Sequence, residues 1–198
     1  MDRRRVLFAT SNRGKIADVR TLVGIGGMEI VSPDEIRDRG APPEVVEGVA
    51  SYLENATRKA EAYFRWSGIP AIGDDTGLEV ESLGGAPGII SARYAGEGAT
   101  ARMNTEKLLA ALAGTPNRTA LFRAVLVLML KDGHLLSAEG SLHGAITHVP
   151  RGGGGFGYDN VFEVAGTGKT LAELKELGSA IATHRHLALR GLLQQLGE

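Results

Sequence analysis

The chain has 198 residues, 43% of them apolar, which is enough for one moderately large domain or two small lobes with buried cores. Its 22 Lys and Arg nearly balance 23 Asp and Glu, leaving a formal net charge of -1, so no overall positive field attracts nucleic acid or an anionic membrane, and an anionic ligand must be held by local groups. The sequence holds no cysteine, which excludes disulfides, thiolate zinc sites and a thiol nucleophile and suits a reducing cytoplasm.

Val6 to Ala9 is an apolar run too short for a signal-peptide core, despite Arg3, Arg4 and Arg5 before it, and Ala124 to Leu130 is too short to span a membrane. A soluble, cytoplasmic protein is the expectation. Val6 to Thr10 reads as a buried strand followed by turn residues Ser11 to Gly14. A helix starts near Lys15, because Ile16, Val19, Leu22 and Val23 recur at helical spacing, and Gly24, Gly26 and Gly27 end it. Met28 to Val31 reads as a second strand and Ser32 to Pro43 as a loop.

Ser51-Tyr-Leu-Glu54 has the spacing of a capping box, with Leu53, Ala56, Ala60 and Phe64 marking one face of a helix that ends near Gly68. Pro70 to Gly73 gives a short strand running into Asp74-Asp75-Thr76-Gly77, Leu78 to Leu83 alternates as another strand, and Gly84 to Gly88 is a glycine-rich loop. Thr100 to Leu112 reads as a helix with Met103, Lys107 and Leu108 on one side. Arg118 to Leu130 is the strongest strand signal, and Lys131 to Gly133 turns it into His134 to Glu139. Ser141 to Val149 continues the sheet, Arg151 to Asp159 is a flexible glycine-rich loop, and Val161 to Val164 is a short strand. Helices around Leu171 to Leu177 and Thr183 to Leu196 close a single α/β domain over residues 1–198 with a long mixed sheet.

Chemistry concentrates at a few places. Thr10-Ser-Asn-Arg-Gly-Lys15 sets small polar residues and a cation at a strand-to-helix junction, where backbone N–H groups and the helix dipole favour phosphate. By itself the segment reads equally as a helix cap with a solvated Lys15. Asp74 and Asp75 could hold a divalent ion or polarise a water, and alternation along an extended segment gives them different tasks. Alone, the same residues read as a turn in which Asp75 caps a backbone N–H. The loop from Gly152 ends in Phe156, Tyr158 and Asp159, suited to stacking on a base and reading its edge. Gly152, Gly154 and Gly157 have dinucleotide-loop spacing, but a strand rather than a helix follows; Gly166 to Thr170 imitates a P-loop, but Glu163 stands where its first glycine belongs. Thr183-His-Arg185 sets an imidazole and a cation at a helix start, whereas His134, His143 and His148 read as surface or satisfied histidines.

In their order, these segments resemble the inosine triphosphate pyrophosphatase family, also called Ham1-like non-standard purine nucleotide pyrophosphatases. The likeness covers nearly the whole chain and is strongest from Leu53-Glu-Asn-Ala56 through Gly73-Asp-Asp-Thr-Gly-Leu-Glu-Val80 to Leu83-Gly-Gly-Ala-Pro-Gly-Ile-Ile-Ser-Ala-Arg-Tyr-Ala-Gly96. It implies an elongated two-lobed α/β fold, a nucleotide cleft between lobes and a homodimer. It implies magnesium-dependent hydrolysis of inosine and xanthosine triphosphates, ribo or deoxyribo, to the monophosphate and pyrophosphate. Carried over residue by residue, Thr10, Ser11, Asn12, Arg13, Gly14 and Lys15 hold the triphosphate with Thr76, Asp75 is the general base, and Glu47 with Asp75 places the magnesium. Phe156, Gly157, Tyr158 and Asp159 line the base pocket with Ser179, His184 and Arg185.

Thr76 replaces the family's usual serine, Asn160 a proline, Ser179 a lysine and His186 a glycine, which leaves open whether Lys175 substitutes for the missing lysine. The alternatives to this reading are a nucleotide-binding sensor with impaired turnover and a pyrophosphatase for modified pyrimidine nucleotides.

Overall fold

The computed structural model describes residues 4–21, 28–36 and 39–197. Leu22, Val23, Gly24, Gly26 and Gly27, expected to finish the first helix, lie outside the described residues, as does Arg3. In chain order the elements are β1 (Arg4–Phe8), α1 (Arg13–Arg20), β2 (Met28–Val31), α2 (Tyr52–Ser67), β3 (Ala71–Val80), β4 (Pro87–Gly88), α3 (Ala101–Ala111), β5 (Thr119–Met129), β6 (Leu135–Ile146), β7 (Phe162–Val164), α4 (Leu171–Glu176) and α5 (His184–Gln195). Short 3-10 turns cover Pro33–Glu35, Glu81–Leu83 and Ser91–Arg93. The strands form one mixed seven-stranded sheet in the order β2-β1-β3-β5-β6-β7, with β4 paired to β3. β1 runs parallel to β2 and to β3, whereas β3 with β4 and β6 with β7 are antiparallel. This is the expected α/β class with a mixed sheet.

Two expected strand pairs are single strands. β3 runs unbroken through Asp74 and Asp75, so these residues are not in a turn, and β6 continues through Gly140 from Leu135 to Ile146. The glycines that looked like breaks sit where a helix backbone lies directly on the strand. A Cβ on Gly140 would fall 2.1 Å from the His184 carbonyl oxygen.

The contacts divide the chain into two compact units: Met1–Asp75, Ala124–Gly140 and Thr183–Glu198 form the first, and Thr76–Arg123 with Ser141–Ala182 the second. In the first unit, strands are buried on both faces, which explains their continuous apolar runs. From β1, Val6 and Phe8 join Ile72, Leu126 and Leu128 in a cluster with Ile16 and Val19 of α1 and Leu189 and Leu192 of α5. The alternate residues face elsewhere: Leu7 and Ala9 pack with Val31, Tyr63 and Ala71, and Val125 and Val127 pack with Ala56 and Ala60 of α2. The second unit has its own core, in which Leu78, Val80, Phe122, Ile146 and Phe162 meet Leu108 of α3, Leu112 just after it, and Leu171 and Leu174 of α4.

Helix ends follow the expected chemistry, but two helix faces do not. Ser51 caps α2 by accepting from the Glu54 N–H at 3.1 Å, while the Glu54 carboxylate pairs with Arg58 instead of completing a capping box. The face expected to carry Leu53 is turned: Leu53 is 49% exposed, and Asn55, Ala56, Lys59, Ala60, Tyr63 and Ser67 are buried. Likewise Met103 and Lys107 of α3 face solvent while Asn104, Thr105 and Leu108 are buried, the Asn104 amide bonding Ala95 N–H and the Ala92 carbonyl.

The reason for the rotation of α2 is a backbone contact. Gly73 of β3 lies against Ala56 and Ala60 so closely that a Cβ there would sit 1.9 Å from the Ala56 carbonyl oxygen and 2.8 Å from the Ala60 nitrogen. Small residues are selected at this crossing, and the helix positions beside it, Asn55 and Lys59, are carried onto the next residues of the strand. Replacing Gly73 with Ala should therefore push α2 off the sheet and cost about 3 kcal/mol, as overpacking against backbone does. Urea denaturation checks this, through a lower midpoint at an unchanged slope.

Candidate active site

Asp74 and Asp75 end the first unit's part of β3, and their alternation sends them to different partners. Asp75 is 4% exposed. Its Oδ2 accepts from the Asn55 amide at 3.0 Å, and its Oδ1 lies 3.4 Å from the Lys59 ammonium. Lys59 donates as well to the Asp74 carbonyl at 2.9 Å and pairs with Glu47 at 2.5 Å. Asn55 completes the arrangement by accepting from the Gly48 N–H at 2.8 Å and donating to the Gly48 carbonyl at 3.2 Å, which clamps the Glu47 loop to α2. Glu47 and Asp75, far apart in sequence, thus converge on one cation.

Burial raises the Asp75 carboxyl above the ordinary aspartate range; Lys59 and the Asn55 hydrogen bond oppose the shift, and the Glu47 charge adds to it. Lys59 is desolvated too, but Asp75 and Glu47 outweigh that and hold it more firmly protonated than a free lysine. A carboxylate raised in this way is a stronger base than an exposed one, and it faces a fixed positive charge.

Asp74, 1% exposed, accepts from Lys15 at 3.0 Å on Oδ1 and from Arg185 Nε at 2.7 Å on Oδ2. Arg185, also buried, donates through Nη1 to Asp18 of α1 at 3.1 Å, and Asp18 accepts from the Thr183 hydroxyl at 3.4 Å. Burial disfavours the Arg185 cation, yet Asp74 and Asp18 together raise it. The Lys15 ammonium is lowered: burial is the main cause, Asp74 resists, and Arg185 and Lys59 add repulsion. Lys15 is therefore not the solvated lysine of a plain helix cap. Beside it, Asn12 does cap α1, its Oδ1 accepting from Gly14 N–H at 2.9 Å and Lys15 N–H at 3.2 Å, while Thr10 Oγ1 accepts from Asn12 N–H at 3.1 Å. Ser11, Asn12 and Arg13 are exposed at the surface.

α5 brings Arg185 to this network because its first turn is locked. Thr183 is the N-cap, and His186, the residue that replaces the family's glycine, completes a capping box: its Nδ1 accepts from the Thr183 N–H at 3.1 Å. That contact leaves the proton on Nε2, which donates to the Asp18 carbonyl at 2.7 Å and ties α5 to α1. His184, the first residue of α5, is 3% exposed.

The second unit holds the remaining candidates. The loop before β7 is not the flexible segment its glycines suggested, since it lies on α4: a Cβ on Gly154 would fall 2.6 Å from the Ala172 carbonyl oxygen, and the Gly153 N–H donates to Glu176 at 2.8 Å. Phe156 is half-buried and Gly157 exposed. Tyr158 turns inward, its ring in the core and its hydroxyl donating to the Ser91 carbonyl at 2.8 Å, and burial pushes its ionisation well up. Asp159 is also buried; its Oδ2 accepts from the Phe156 N–H at 2.9 Å and from Lys175 at 3.0 Å. Thr76 is half-buried and Ser179 exposed. In each unit, then, a compact subset of the expected residues is assembled: Glu47, Asp75, Lys15 and Arg185 around Asp74 and Lys59 in the first, Phe156 and Asp159 in the second. Sequence reasoning missed Asp18, Asn55, Lys59 and His186. The signal for Asn55 and Lys59 was their four-residue spacing on α2, masked by the apolar reading of that helix.

Because Asp74 bridges Lys15 to Arg185, its neutralisation should be felt by the fold. Asp74→Asn is expected to cost about 3 kcal/mol by stranding buried charge, more than Asp75→Asn costs. Parallel denaturant titrations of the two variants measure the difference.

The sequence profile of the Ham1 family matches residues 6–195. A dITP/XTP pyrophosphatase of Syntrophobacter fumaroxidans is 43% identical over 100% of this chain and 84% of its own length, and one of Methylococcus capsulatus is 44% identical over 98% and 96%. Among solved structures, the Ham1 protein of Staphylococcus aureus is 36% identical with a TM-score of 0.81, and that of Coxiella burnetii 33% identical with a TM-score of 0.82, each covering 98% of both chains. With the profile spanning almost the whole sequence, the chain belongs to the Ham1 family.

Proposed function

We propose that the protein hydrolyses non-standard purine nucleoside triphosphates, those of inosine and xanthosine and their deoxy forms, to the nucleoside monophosphate and pyrophosphate. The observation that carries this reading is Asp75, a buried carboxylate with a raised pKa that shares Lys59 with Glu47, in a chain similar over its full length to dITP/XTP pyrophosphatases.

Asp75 accepts a proton from a water as that water attacks the α-phosphorus; the bond to the β-phosphate oxygen breaks and pyrophosphate leaves. Asn55 and Lys59 hold the Asp75 carboxylate in place and Asp74 holds Lys15, whose ammonium offsets negative charge on the triphosphate. The Thr10 to Gly14 segment, exposed at Ser11, Asn12 and Arg13, offers further polar contacts at the α1 N-terminus. Glu47 and Asp75 would hold magnesium: both are hard oxygen donors that converge on one positive charge, and two carboxylates suffice for an ion that keeps its waters and takes phosphate oxygens as ligands. When bound, the ion supplies Lewis-acid stabilisation of the phosphate oxygens.

The base is read in the second unit by the Phe156 to Asp159 loop. A purine 6-oxo group accepts a hydrogen bond where an adenine amino group cannot, and an unmatched buried group costs about 1–3 kcal/mol, a tenfold to hundredfold preference. The same reading includes a homodimer, by likeness to the family, and a cytoplasmic location, with which the absence of cysteine is in keeping. No helix among the described residues is long and apolar enough to cross a membrane.

Pyrophosphate release from inosine, xanthosine, adenosine and guanosine triphosphates, with and without magnesium, tests the proposal; a folded protein that releases none from any of them would refute it. Asp75→Asn should abolish release while the protein stays folded, and Lys15→Ala should slow it and weaken triphosphate binding. The pH profile has a defined sign. Only the ionised Asp75 accepts the proton, so the rate falls on acidification as that carboxylate protonates.

A further inference from the structure

We infer that His186 is a positioning residue for the triphosphate: its imidazole fixes α1 against α5 and so sets where Lys15 and the α1 N-terminus stand. The inference rests on the function proposed above and deepens it, by naming what holds the phosphate-binding end of the first unit in place.

α1 has only eight residues, too few to hold its place by helix propensity, so its position depends on what grips it. α5 grips it at Asp18, by side chain and by backbone. The Asp18 carboxylate accepts from Arg185 Nη1 at 3.1 Å and from the Thr183 hydroxyl at 3.4 Å. The Asp18 carbonyl lies in the last turn of α1, where intrahelical donors run out, and it accepts from His186 Nε2 at 2.7 Å and from the Thr21 hydroxyl at 2.7 Å. The Thr21 oxygen is itself 2.9 Å from Nε2, which seats the ring nitrogen between two oxygens. Lys15 stands three residues before Asp18 on the same helix face, so a shift of Asp18 carries Lys15 with it. Arg185 reaches the same ammonium by another route, through Asp74.

The imidazole suits this task because its two nitrogens do different things. Nδ1 accepts from the Thr183 N–H at 3.1 Å while Nε2 donates, so one neutral ring joins the N-cap of α5 to α1. A glutamate in a capping box would accept at the N-cap but could not donate to the Asp18 carbonyl, whereas a glutamine could do both. His186 is 8% exposed, which shields both bonds from competing water.

The test compares the steady-state kinetics of His186→Glu, His186→Leu and His186→Gln with the wild type, at a temperature well below every unfolding midpoint. For inosine triphosphate, His186→Glu and His186→Leu should each raise KM about three- to tenfold, the span expected for one lost hydrogen bond, with kcat within about twofold. His186→Gln should stay within about twofold of the wild type in both. A merely structural His186 would act through the cap alone, so a wild-type KM in His186→Glu overturns the inference and leaves the pyrophosphatase reading standing. A second arm uses Lys15→Ala. Acting through Lys15, His186→Glu should add little to the KM of that variant, and effects that multiply in full overturn the inference. Nitrogen-15 NMR of the imidazole, which needs no variant to fold, should show Nε2 protonated and Nδ1 bare; the opposite tautomer overturns it. If the wild type releases no pyrophosphate, that reading fails on its own, and calorimetric titration with inorganic tripolyphosphate decides the role of His186: weaker binding by His186→Glu than by His186→Gln supports it, and equal or absent binding overturns it.

Discussion

The chemistry of the first unit depends on one close approach of backbone to backbone, at Gly73 of β3 beneath Ala56 and Ala60 of α2. A helix on a sheet ordinarily stands off by the thickness of its side chains. Here the crossing has only alanine methyls, so the axis drops toward the strand and the side chains one position before each alanine, Asn55 and Lys59, reach the carboxylate two residues along. Without that descent, a lysine and an amide on a helix face would point into a gap. The contact also explains why the helix presents polar residues inward and Leu53 outward, an orientation that hydrophobicity alone would reverse.

From that fixed point the strand's alternation divides the electrostatics. The two adjacent aspartates are buried to nearly the same degree, yet their surroundings differ in kind. Asp74 lies between Lys15 and Arg185, and Arg185 is tied onward to Asp18. Pairing of this density compensates the desolvation that burial exacts. Asp75 contacts Lys59, which it shares with Glu47, and the neutral Asn55 amide, and burial still leaves its carboxyl raised. A carboxylate that anchors structure benefits from more counter-charge than it needs; one that must exchange a proton is better left slightly short of it. The geometry assigns these conditions to neighbouring residues by the period of a strand.

The second unit uses a glycine run for a different purpose from the one its composition suggests. Glycines at 152 to 155 read as a supple loop, but the chain there is laid on α4 at a distance no side chain would permit, and Arg151 holds it with bonds to Glu163 at 2.7 Å and near Glu173 at 3.8 Å. A rigid loop presents Phe156 at a defined place, whereas a mobile one would have to be ordered by each ligand. The inward turn of Tyr158 belongs to the same economy of motion, for its hydroxyl bond to the Ser91 carbonyl fastens the loop to the core and leaves Phe156 as the aromatic face at the surface.

How much of this was legible in the sequence depended on the range of the physics involved. The strand and helix inventory was readable, since it follows from local period and from caps such as Ser51, Thr170 and Thr183, whose side chains each accept from an N–H three residues on. The placement of Asp75 was readable through its motif, and its separation from Asp74 through strand alternation. Helix faces were read wrongly at Leu53 and Met103, because apolar spacing assumes that burial tracks hydrophobicity, whereas Asn55 and Asn104 are buried to satisfy groups brought in from distant segments. Asp18 was invisible for the same reason: it has no local signature, and it acquires its role only when α5 folds back onto α1, which is also what gives His186 Nε2 its bond to the Asp18 carbonyl. Gly140, left between two expected strands, is instead a close packing position, as is Gly73, and that role resides entirely in what lies above the strand. Short-range rules therefore recover the elements, and the polar residues that join one element to another have to be read from the folded chain.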